Sequence, residues 1–177
     1  MKYIALLRGI NVGVLRRVEM KKLRAVFESL KYKNVSTYIN SGNVIFESDK
    51  NLKNIKQEIK TSLKTTFGFD IPALIKTEKE IQKIAESIPK EWKNDSIQRS
   101  DVAYLFDTID SDKILDELPF NNEYIDIRYT NGAIYWNIDR KNYNKSHLNK
   151  LITHSLYQMM TVRNINTARF LAGLKSF

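Results

Sequence analysis

Residues 3–8 form a nearly continuous apolar run, closed by Arg8, as expected of a strand covered on both faces. Residues 20–30 change to helical spacing, with Met20, Leu23, Val26, Phe27 and Leu30 on one stripe. Residues 35–39 and 44–47 are short β-rich runs that bracket Asn40, Ser41, Gly42 and Asn43, which is hairpin chemistry. A second amphipathic helix follows on Leu52, Ile55, Ile59, Leu63 and Phe67, with Gly68 placed to end it. Residues 71–75 read as a further strand, and Thr77 with Glu80 fits a capping box that opens a third helix, stopped by Pro89.

The second half starts again. A strand is expected over 102–107, then a short helix over 111–118. Strands over 124–129 and 133–138 are joined at Asn131–Gly132, a strong hairpin signal. A helix is expected over 145–160, on Leu148, Leu151, Ile152, Leu156 and Met159, and a last helix opens at Asn166 or Thr167. The element order is β-α-β-β-α-β in the first half and β-α-β-β-α in the second, ending in a helix. The predicted class is α+β, built from two intimately packed ferredoxin-like (βαββαβ-type) halves with mainly antiparallel sheets. The predicted division is 1–88, a polar linker over 89–100, and 101–177.

Charge sharpens this picture. Of the net +9, residues 1–88 carry 17 Lys and Arg against 9 Asp and Glu, and residues 89–177 carry 12 against 11. A basic first half suits an anionic partner, although lysine is also the ordinary filler of a solvated surface. The chain has no cysteine, which excludes disulfides, a thiol nucleophile and thiolate metal sites. No apolar run approaches the roughly 20 residues that span a bilayer, and a cytoplasmic protein without membrane attachment is expected.

In a ferredoxin-like half the first and second strands run parallel, so the loop after the first and the hairpin after the second leave the same edge. Arg8, Asn11 and Gly13 are therefore expected near Asn40, Ser41 and Asn43. Arg16 and Arg17 finish that loop at the start of a helix, where free backbone N–H groups and nearby cations favour an anion. The same residues can equally serve the turns alone, with glycine permitting the bend and Asn or Ser satisfying backbone. The run at 8–13 is neither a Walker A loop nor a dinucleotide fingerprint.

The segments 7–13 (LRGINVG), 20–30 and 35–48 (VSTYINSGNVIFES), with Thr161–Thr167 (TVRNINT) near the end, resemble the signature of the uncharacterised DUF1697 family. The resemblance implies an α+β protein with ferredoxin-like halves, and implies no activity. Val14 stands where that family usually has glycine, and Ile165 where it has tryptophan. Arg163, Asn164, Asn166 and Thr167 form a second polar cluster. Capping needs only one of them, so this cluster is a further candidate, able to join the first in one pocket if the two are adjacent.

Other chemistry is weaker. His147 and His154 are two turns apart on the expected helix, about 10 Å, too far for one metal; no metal and no cofactor is expected. Ser41 lacks the local setting of a hydrolase nucleophile, and the acids at 107, 110, 112 and 116 suit a helix start. Lys53, Lys56, Lys60 and Lys64 form one basic stripe, usually a solvated face. The RNA-recognition motif is rejected, because residues 3–7 are apolar on both faces. One face of the later hairpin, Tyr135 with Asn137, is expected to be wet. The functional expectation is a binding protein that takes an anionic, phosphate-bearing ligand or a nucleic-acid backbone at the polar loop edge. The alternatives are an enzyme acting on a phosphorylated or nucleotide-like small molecule and a structural or interaction module.

Overall fold

A computed structural model describes residues 1–14 and 16–174. The chain is mixed α+β and divides into two compact units, Met1–Glu78 and Lys79–Phe177.

The first unit runs β1 (Lys2–Leu7), α1 (Met20–Ser29), β2 (Lys33–Tyr38), β3 (Asn43–Glu47), α2 (Leu52–Phe67) and β4 (Ala73–Thr77). Its four-stranded sheet is antiparallel, in the order β2-β3-β1-β4. Central β1 is buried from Tyr3 to Leu7, which accounts for its unbroken apolar run. On one face Tyr3, Ala5, Leu7, Val44, Phe46 and Ile75 pack against Leu23, Val26 and Phe27 of α1 and Ile55, Ile59 and Leu63 of α2. The rings of Tyr3, Phe27, Tyr32 and Phe46 interlock in that core at centroid separations of 4.7–6.1 Å. Helix α2 is bounded as its sequence demands. Asn51 accepts a cap hydrogen bond from Asn54 N at 2.9 Å, and Gly68 closes the other end at φ 80°.

The second unit holds α3 (Glu78–Ser87, which starts at the boundary), β5 (Gln98–Leu105), α4 (Ile114–Glu117), β6 (Asp126–Thr130), β7 (Ala133–Asp139), β8 (Met160–Asn164) and α5 (Ile165–Leu171). Its sheet is again four-stranded and antiparallel, in the order β6-β7-β5-β8. Counted within each unit, both sheets have the order 2-3-1-4. The core of this unit gathers Ala103, Leu105, Ile134, Trp136, Ile138 and Met160 on one sheet face.

Four readings of the second half change. The expected helix over 145–160 is instead two short 3-10 segments, Leu148–Thr153 and Ser155–Met159, interrupted at His154. His147 and His154 therefore share no helix. A fourth strand, β8, lies where none was expected, because its pairing with β5 is supplied by residues far away in sequence. The helix expected over 111–118 shortens to α4. Finally, Tyr135 is 4% exposed, so the face expected to be wet is dry there. Its ring meets Trp92 edge-on at 5.8 Å and its hydroxyl donates to Ser87 O at 3.2 Å.

The polar stretch 89–100, expected as a linker, packs into the second unit. Trp92 is buried, Arg128 lies over its ring at 5.1 Å, and Ser100 Oγ donates to Lys93 O at 2.7 Å. Arg169 of α5 is buried and donates to the carbonyls of Trp92 at 3.0 Å, Pro89 at 3.1 Å and Lys90 at 3.4 Å. Leu15 and residues 175–177 of the expected second half lie outside the described residues.

Candidate functional site

Three connections of the first unit meet at one edge of its sheet. Leu7 N donates to Gly42 O at 2.8 Å, which joins the end of β1 to the β2–β3 hairpin. Arg8 N donates to Pro72 O at 2.8 Å, which joins it to the segment before β4. The β1–α1 loop then folds back on itself around Asn11. That side chain accepts from Val18 N at 2.8 Å and donates to Val18 O and to Asn40 O, both at 2.9 Å. Its own N–H donates to Arg16 O at 3.1 Å, and its φ of 55° lies in the left-handed region, where asparagine is among the better tolerated residues.

Asn11 is thus a clamp. Its amide is committed to backbone, and it acts by holding the loop closed and tied to the hairpin. Asn43 has the same character. It is fully buried and donates to Tyr38 O at 3.0 Å and Ser41 Oγ at 2.9 Å, shaping the turn from within. Gly42 has no alternative, because a Cβ there would meet Leu7 Cβ and Ile10 Cδ1 at 2.7 Å. Arg16 stacks its guanidinium 5.8 Å from the Phe69 ring centroid.

These contacts frame an open cleft of about 600 Å³ at the start of α1, lined among others by Asn11, Gly13, Arg17, Glu19, Lys21 and Asn40. Of the residues expected from sequence, Asn11, Gly13, Arg17 and Asn40 line it; Arg8, Arg16, Ser41 and Asn43 are not among its described lining residues. Sequence reasoning missed Glu19, the N-cap of α1, which makes no side-chain cap hydrogen bond. It also left Lys21 off the candidate set; its signal is its place in the first turn of an otherwise clear helix. Two basic side chains and uncapped helix N–H groups on one open surface can hold an anion, and the Glu19 carboxylate can select what accompanies it.

The second cluster is built differently, in the other unit. Arg163 lies in β8 and is 7% exposed, donating to Thr161 Oγ1 at 2.9 Å and Val162 O at 2.8 Å. Burial pulls its guanidinium down to about 10. Across the ladder, Tyr104 is fully buried, burial pushes its phenol up, and among the described residues its hydroxyl has no hydrogen-bond partner. Asn164, not Asn166 or Thr167, caps α5, accepting from Thr167 N at 2.9 Å. Asn166 is exposed on the first turn and Thr167 is buried. Among the described residues no group of three or more His, Cys, Asp or Glu could hold a metal ion, and no helix is long and apolar enough to cross a membrane.

The family model described as a protein of unknown function, DUF1697, matches residues 1–135, a span that contains the whole cleft. The chain belongs to the DUF1697 family. A solved structure, that of the conserved bacterial protein SP0830 from Streptococcus pneumoniae, is similar at 24% identity, covering 97% of each chain with a TM-score of 0.85. That likeness shows the fold. Among curated proteins nothing matches this DUF1697 chain.

Proposed function

We propose that this DUF1697 protein binds a phosphate-bearing small molecule in the cleft at the start of α1. The observation that carries the reading is the presence of Arg17 and Lys21 on an open cleft at a helix N-terminus whose cap residue makes no side-chain cap hydrogen bond. An anion there gains both charge and backbone N–H donors. The Asn11 clamp supports it further, since a loop already held in place loses little entropy on binding. The strand order of both units supports the ferredoxin-like reading, and with it the emergence of these loops at one edge.

An enzymatic version would draw its proton chemistry from Glu19, the one carboxylate among the described lining residues, which include no histidine. Isothermal titration with inorganic phosphate, pyrophosphate and a nucleoside diphosphate tests the binding. Saturable binding is expected, lost in Arg17→Ala/Lys21→Ala while the melting temperature stays within about 2 °C. Absence of binding by all three ligands at millimolar concentration overturns the reading.

A further inference from the structure

Strand β6 lies at one edge of the second sheet and pairs with β7 in unbroken register, from Asp126↔Asn137 to Thr130↔Ala133. Leu105 N donates to Gly132 O at 2.9 Å, so the even-numbered positions along β7 bond towards β5 and the odd-numbered ones towards β6. The bonds from β6 to β7 therefore fall to Asp126, Arg128 and Thr130. The backbone N–H and C=O of Ile127 and Tyr129 point to the open side. Among the described residues no loop or helix hydrogen-bonds to them.

Edge strands ordinarily carry devices that stop them pairing with another chain. β2, at an edge of the first sheet, has them: its register shifts between Lys33 and Ser36, Asn34 sits at φ 51°, and Lys33 is exposed. β6 has neither a bulge nor a proline. Its two charges cancel within the strand, where Arg128 donates to Asp126 through Nε at 3.0 Å and Nη2 at 2.7 Å. Both side chains are 48% exposed, so this ion pair is open to a second partner.

We propose that β6 pairs antiparallel with β6 of a second copy of this chain, about a two-fold axis at Ile127. Charge complementarity selects both occupant and register. A two-fold axis at Asp126 sets Asp opposite Asp, and one at Arg128 sets Arg opposite Arg; like charges directly opposite are destabilising. The axis at Ile127 instead sets each Asp126 opposite the Arg128 of the other copy, twice over, as an isologous contact requires. These are non-hydrogen-bonded positions, where facing side chains come closest, while the open backbone groups of the two Ile127 residues bond to each other. Tyr129 of the second copy then stands opposite Ile125, beside an open groove of about 510 Å³ lined in part by Leu115, Ile125 and Ile127. A strand this short makes a small interface, so the expected dissociation constant is about 10–100 μM.

The test is sedimentation velocity of the full chain from ~5 to ~500 μM, with thermal unfolding of each variant as a check on folding. A reversible equilibrium between monomer and dimer is expected. Asp126→Arg and Arg128→Asp each make all four facing charges alike, and each should weaken the dimer at least about tenfold. Mixing the two variants sets Arg opposite Asp again, and Asp126→Arg/Arg128→Asp does so within one chain. Both should return to within about threefold of the parent affinity. Arg17→Ala/Lys21→Ala, at the cleft, should leave the dimer unchanged. The proposal is overturned by a chain that stays monomeric at the highest concentration, or by a dimer that either single reversal leaves intact. It is equally overturned if the mixed variants stay monomeric.

Discussion

The Asn11 side-chain amide donates to the Asn40 carbonyl at 2.9 Å, so one residue of the β1–α1 loop holds the β2–β3 hairpin in place. The same amide closes its own loop on both polar atoms of Val18. Asn11→Ala removes three hydrogen bonds and places alanine at φ 55°. The expected loss is about 2–4 kcal/mol of stability, read as a lower urea midpoint at unchanged slope. Asn11→Gly, which tolerates the backbone but makes none of the bonds, should recover about 1 kcal/mol of that. Equal stability of all three proteins would remove the clamp from the account.

Gly42 and Gly13 separate crowding from backbone strain. Both have positive φ, 74° and 65°, yet a Cβ on Gly42 meets Leu7 and Ile10 at 2.7 Å while one on Gly13 meets nothing within 4 Å. Gly13→Ala should cost about 1 kcal/mol and Gly42→Ala about 3 kcal/mol or more. Chemical denaturation of the two variants side by side measures the difference. A Gly42→Ala protein as stable as Gly13→Ala would mean the hairpin is not packed as described.

Acid should act on the first unit through Glu58. The hydrogen bond from Lys50, with a smaller one from Tyr32, holds its carboxyl below the ordinary glutamate range, against burial. A depressed folded-state value means the stabilisation is present above the unfolded value of 4.5 and is lost as pH falls through the lower folded one. Glu58→Gln should therefore be less stable than the parent near neutrality, with the two curves converging in acid. Urea midpoints at several pH values test this, and a gap independent of pH would assign the loss to packing.

Arg169 holds the second unit together at 89–92 through three backbone carbonyls, with burial pushing its guanidinium down. Arg169→Ala strands those carbonyls and should cost about 3 kcal/mol or more. Arg169→Lys keeps the charge but cannot fork across Trp92 and Pro89, and should recover less than half of that. Native-state hydrogen exchange should show the loss of protection in α3 and α5 first.

Local patterning carried most of the first unit. The unbroken run of β1, the stripes of α1 and α2, the Gly68 cap and the hairpin at 40–43 are each written within a few neighbouring residues, where spacing and turn chemistry decide the conformation. The edge at which Asn11 and Asn40 meet followed from element order. The second unit shows where that logic stops. Met160–Asn164 becomes a strand because β5, far upstream, offers it a ladder; its own short run after a helix-like pattern carries no such instruction. The sequence pointed to Asn166 or Thr167 as the cap of the last helix, and the point where β8 ends selects Asn164 instead. Likewise, Arg163 and Asn43 read as members of polar clusters, and both are buried, because burial depends on what the tertiary fold lays over a residue. The sequence by itself determined the elements of the first half, the charge asymmetry and the neighbourhood of the cleft. The tertiary structure decided the fourth strand of the second half and which polar side chains face solvent rather than backbone, since pairing and burial are set by residues distant along the chain.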